Sequence, residues 1–155
     1  PQVTANESET GFGVNYSGIE GLSLSYAVAD ENTHAGSDTS GDNTVIKASY
    51  AYGPVTVAYS EMEHDEGISS GAGDITMTSY ALTYTMSDEL SVTYGSETSD
   101  KGNKTTDLEV EGISVAYTTG GMTISASTMS LENGNWGTGS EEDMDYWALG
   151  ASFAF

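Results

Sequence analysis

The chain closes on Tyr146-Trp147-Ala148-Leu149-Gly150-Ala151-Ser152-Phe153-Ala154-Phe155, a stretch without a single charge. In an extended strand successive side chains point to opposite faces, so Trp147, Leu149, Ala151, Phe153 and Phe155 share one face, while Tyr146, Ala148, Gly150, Ser152 and Ala154 share the other. The first face is wholly apolar, and either a protein core or lipid must cover it.

Composition narrows that choice. The 155 residues hold 24 Asp and Glu against three Lys and no Arg, a formal net charge of −21. Such a chain has no basic footprint for a phosphate backbone, which excludes a conventional nucleic-acid binder. Zero cysteines exclude a disulfide framework and thiolate metal sites, and suit export through an oxidising compartment. The sequence does not begin with Met, carries no signal peptide, and has no apolar run near the roughly 20 residues of a spanning helix. It reads as a processed or incomplete chain with no transmembrane helix.

Good helix formers are scarce and the apolar pattern has period two, which predicts an all-β protein. Nine strands are expected, at 10–18, 22–29, 45–53, 55–60, 75–86, 90–96, 112–119, 122–131 and 146–155, with 1–9 as an external loop. These windows make up about half the chain and contain no Asp or Glu; all 24 acids lie outside them. The faces of a soluble sheet that meet water normally carry charge. Here those positions hold Ser, Thr, Ala, Gly and one Lys.

The connections alternate. SGIEG, YGPV, MSDEL and TTGGM are tight turns, whereas the stretches around 30–44, 61–74, 97–111 and 132–145 are long, acidic and rich in Gly, Asn and Ser. Related phrases, LSLSY, VTVAY, LSVTY and MTISA, begin at 22, 55, 90 and 122, so the repeating unit is one hairpin plus one long connection. A propeller blade needs more strands per unit, and a solenoid would not alternate short with long. The pattern fits an antiparallel up-and-down transmembrane β-barrel whose rims face different compartments, with strands long enough to cross a hydrocarbon layer.

In that barrel the lipid-facing rows include Phe12, Val14, Leu24, Val57, Leu82, Val92, Ile113 and Ile124. Tyr16, Tyr52, Tyr84 and Tyr117, each just before a tight turn, together with Phe153 and Phe155, form an aromatic girdle at one interface. The opposite parity is pore-lining: Asn15, Ser17, Ser23, Ser25, Lys47, Ser49, Thr56, Ser60, Ser79, Thr83, Ser91, Thr93, Ser114, Thr118, Ser125 and Ser127. Side chains this small leave a wide barrel filled with water. Lys47, the only charge inside an expected strand, either tunes local anion affinity or is a solvated wall residue. His34 and His64 sit among acids with no nucleophile motif, so no catalytic residues and no enzyme are expected. The acidic loops offer oxygen ligands for weak Ca²⁺ or Mg²⁺ binding, but match no EF-hand, and no dedicated metal site or other cofactor is expected.

The terminal strand ending in Phe155, with the hairpin repeat over 10–155, resembles a Gram-negative outer-membrane porin of the general-diffusion, alphaproteobacterial type. The resemblance implies a 16-stranded barrel assembled as a homotrimer in the outer-membrane bilayer, with short periplasmic turns and long external loops. It also implies that Trp147, Phe153 and Phe155 form the signal read by the assembly machinery. Nine strands is an odd number where single-chain bacterial barrels have an even one, so the chain reads as the C-terminal half of such a porin. Family eyelets set Arg against acids, and this segment has no Arg. The expected function is a water-filled channel for passive diffusion of ions and small hydrophilic solutes, cation-preferring because of its acidic loops. The competing expectation is an acidic secreted or surface-displayed β-sandwich or adhesin with weak divalent-cation binding.

Overall fold

A computed structural model describes residues 8–32, 40–67, 70–139 and 142–154. They form nine antiparallel strands: β1 (Ser8–Tyr16), β2 (Leu22–Asn32), β3 (Ser40–Tyr52), β4 (Val55–Asp65), β5 (Ile75–Thr85), β6 (Leu90–Lys101), β7 (Leu108–Thr119), β8 (Met122–Glu132) and β9 (Met144–Phe153), with a short 3-10 turn at Gly134–Trp136. They make one sheet in which each strand pairs only with its neighbours in the chain, in the order β1 to β9. The sheet is up-and-down and not closed on itself.

The tight turns follow from their residues. β7 and β8 are joined by Gly120 and Gly121 alone, at φ 55° and 79°, the two positive values that a two-residue hairpin of right-handed twist requires and that Gly adopts without strain. At the short turn between β3 and β4, Gly53, at φ 56°, precedes Pro54, whose carbonyl accepts from the Thr85 amide at 2.8 Å.

Six strands, β2, β3, β4, β6, β7 and β8, are longer than the sequence pattern indicates, and they lengthen toward the long connections, while β1 and β9 are shifted in the same direction at their expected lengths and β5 ends one residue early. Acids expected in loops therefore lie on strands: Asp30, Glu31, Asp42, Glu61, Glu63, Asp65, Glu97, Asp100, Glu109, Glu111, Glu132 and Asp145. Backbone pairing persists past the end of the apolar row, so the change from apolar to acidic residues does not mark the end of the strand. At the other rim β1 ends at Tyr16, not 18, which leaves Ser17 in the turn, and β9 runs from Met144 to Phe153. Ser8 and Glu9, expected in an external loop, belong to β1.

Among the described residues no apolar side chain is buried. Most of the large apolar residues instead form an exposed band on one face, with Phe12 68%, Leu149 71% and Trp147 76% exposed, while Met129, Met144 and Tyr146 stand exposed on the other face near the β8–β9 connection. This band crosses the hydrogen-bonded rungs obliquely. Tyr59, the last outward ring of β4 before Glu61, pairs with Tyr80, which pairs with Ser96, which pairs with Glu111 on β7. One rung thus starts inside the apolar band and ends beyond it, in the acidic zone.

Candidate pore wall

Strand alternation and the observed register put Asn15, Ser23, Ser25, Lys47, Ser49, Thr56, Ser60, Ser79, Thr83, Ser91, Thr93, Ser114, Thr118, Ser125 and Ser127 on the face opposite the band. Their hydroxyls pair across strands: Thr83 with Thr93 and Thr118 with Thr123, each at 2.9 Å. Two open hollows lie along this face. One, of about 370 Å³, gathers Ser23, Ser25, Lys47, Ser49, Ser60 and Ser79; the other, of about 460 Å³, gathers Ser79, Thr93, Glu97, Ser114 and Ser127.

The hollows meet at Ser79, and there the wall carries opposite charges on one rung. Lys47 pairs with Ser60, Ser60 with Ser79, and Ser79 with Glu97. The Ser79 hydroxyl donates to Glu97 Oε2 at 2.8 Å, drawing the carboxylate toward the lysine. Three strand intervals of about 4.8 Å put the two backbones about 14 Å apart. Lys47 was legible from the sequence, and Glu97 was not, because it falls one residue past the expected end of its strand. Continuing the parity of Ser91, Thr93 and Gly95 would have found it.

Toward the long-connection rim the same face holds His64, whose Nδ1 lies 2.8 Å from Asn43 Oδ1. The β8–β9 connection folds back here. The Trp136 indole N–H donates to the Ser99 carbonyl at 2.8 Å, and Lys101 Nζ stands 4.9 Å from the ring centre. In the β6–β7 turn the Asp107 carboxyl is pushed above the usual carboxylate range by burial and by Asp100 beside it.

On the opposite face Tyr16, Tyr52, Tyr84 and Tyr117 stand in the half-strands nearest the short turns, all exposed, and the Tyr117 hydroxyl donates to Glu89 at 3.1 Å. Phe153 and Trp147 share the outward row of β9, while Phe155 and His34 lie outside the described residues. A second aromatic row, unread in the sequence, lines the other border. Tyr59 donates to Glu61 at 2.6 Å and Tyr94 to Glu111 at 2.8 Å, so each ring stays in the apolar band while its hydroxyl reaches the acidic zone.

Among the described residues no three acid or histidine side chains converge as a metal site. The loop runs considered for Ca²⁺ or Mg²⁺ fall partly outside those residues. No family model matches the chain, and no curated protein matches it.

Proposed function

We propose that the sheet is part of the wall of an outer-membrane β-barrel, of the 16-stranded porin type, through which ions and small hydrophilic solutes diffuse passively in water. The observation that carries this reading is the oblique apolar band on a single-layer sheet with no buried apolar side chain among the described residues. A two-layer sandwich would cover that face with a second sheet, and a single layer in water would leave it bare. Lipid covers it in the proposed setting, and the hydroxyl face then lines the lumen. Strands beyond these nine close the barrel. A homotrimer and delivery by the outer-membrane assembly machinery belong to the same reading, and the acidic external mouth makes the channel cation-preferring.

The test is reconstitution of the full-length protein into a planar bilayer. It should require detergent for solubility and then give stepwise, ohmic conductance. Solubility without detergent, or a silent bilayer, overturns the reading.

A further inference from the structure

The β8–β9 connection is built as a strap. Its base is closed by the Gly134 amide donating to the Glu142 carbonyl at 2.8 Å and the Asn133 amide donating to Asp143 Oδ1 at 3.0 Å. The Asn133 side-chain amide donates to the Asp107 carbonyl at 3.0 Å, tying the base to the β6–β7 turn. Gly134 is required there, since a Cβ would collide with the Glu142 carbonyl oxygen. From this base the tip passes the end of β7 to reach β6, where the Trp136 indole bonds to Ser99 and leaves that residue only 4% exposed.

Two observations show that the contact is specific. Asn133, Asn135 and Trp136 all hold φ near 55°, the left-handed region that a bulky side chain avoids, so the docked contacts must offset local strain. Leu131, Ser99 and Lys101, which the strap touches, belong to the hydroxyl-bearing face and not to the apolar one. The strap is folded toward the side proposed as lumen.

Its chemistry bears on charge. The strap carries Glu142 and Asp143, while Lys101, one of two lysines at that corner with Lys104 of the β6–β7 turn, has its ammonium engaged by the indole. Docking therefore presents carboxylates at the long-connection mouth and covers a cation. We propose that Trp136 is a positioning residue for ion selection: by latching the strap to β6 it fixes the acidic character and the width of this mouth. The inference rests on the channel reading and adds to it a residue that lines no part of the strand wall.

Reversal potential and single-channel conductance of the full-length protein, across a salt gradient at low ionic strength where screening is weak, test it. Trp136→Ala should lower the cation-to-anion permeability ratio about twofold or more and raise conductance, because the strap leaves the wall and Lys101 is uncovered. Trp136→Phe, which keeps the ring but not the N–H donor, should fall between. Gly134→Ala, which disrupts the base of the strap, should reproduce the alanine effect from a second position. The component of tryptophan fluorescence that Trp136→Phe removes should resist quenching by aqueous iodide, and Gly134→Ala should make it accessible. A Trp136→Ala channel with parental selectivity and conductance overturns the latch, as does free quenching of Trp136 in the parent fold. A parent protein that does not conduct overturns the channel reading instead.

Discussion

Leu22 and Trp147 lie on one rung of the sheet, joined through Tyr50, Val57, Leu82, Tyr94, Ile113 and Thr128. Leu22 is the first outward apolar residue of β2 above its short turn, whereas Trp147 is the outward apolar residue of β9 nearest Asp145. The bottom of the band on one strand is level in register with its top seven strands later. A drift of just under one residue per strand, at about 3.3 Å per residue and about 4.8 Å per strand, is a tilt of about 30° between strands and band normal. Transmembrane barrels need tilts of this kind, about 35–45°, and a sheet covered by a flat second layer does not.

The two faces should respond oppositely to charge. Leu82→Arg, in the middle of the band, should cost about 2–4 kcal/mol of folding stability in lipid vesicles. Thr83→Lys, its neighbour on the hydroxyl face, should cost about 1 kcal/mol, the value of the hydrogen bond to Thr93. Denaturant titrations from vesicles give both numbers, and equal costs would show that neither face meets lipid.

Lys47 and Glu97 should pull selectivity in opposite directions. Glu97→Gln removes a wall carboxylate and lowers the preference for cations; Lys47→Gln raises it. Both effects should survive at an ionic strength that suppresses the influence of the acidic mouth, because confinement weakens screening at the wall. Reversal potentials at two salt concentrations separate the contributions, and identical values for the two variants would remove the rung from the ion path.

Asp107 gives a pH signature. Its carboxyl holds a proton to higher pH in the fold than in the unfolded chain, so between those two values the folded state binds more protons and its stability falls as pH rises. Above the folded value the loss is complete and constant. Asp107→Asn should therefore leave stability unchanged in strong acid and raise it near neutrality, with the difference opening above about pH 4. A melting-temperature difference that is flat with pH would mean that the carboxyl does not feel its neighbours.

Deleting Phe155, or Phe153→Ala, should reduce the amount of barrel in the outer membrane more than burial of one ring, about 1.5–3 kcal/mol, accounts for. Quantitative blotting of membrane fractions measures it, and unchanged levels would make these rings ordinary packing.

The period-two rows of residues such as Leu24, Val57 and Leu82 made strand identity, order and facing readable from sequence, because alternation across a sheet fixes the face of every residue once one is known. Strand ends at the long connections were not readable. Glu61, Glu97 and Glu111 look like loop residues when a strand is defined by its apolar row, yet hydrogen bonding to a neighbouring strand does not depend on side-chain polarity. That one error hid the second aromatic row, the Glu97 carboxylate and the wall position of His64. The Trp136 contact was unreadable for a different reason: it joins residues 37 positions apart through a backbone carbonyl, and no side-chain pattern records it.

Every strand here pairs only with the strands before and after it in the chain. A hairpin is thus a self-contained brick: taking one out, or copying one in, leaves each surviving ladder with the partner it already had. The drift of the band is likewise a property of each step and not of the total. In the proposed barrel the bore can therefore change by two strands at a time without redesign of the remaining wall, and the joints for such an insertion are the long connections between hairpins, not the tight turns such as Gly120–Gly121 that hold a hairpin together.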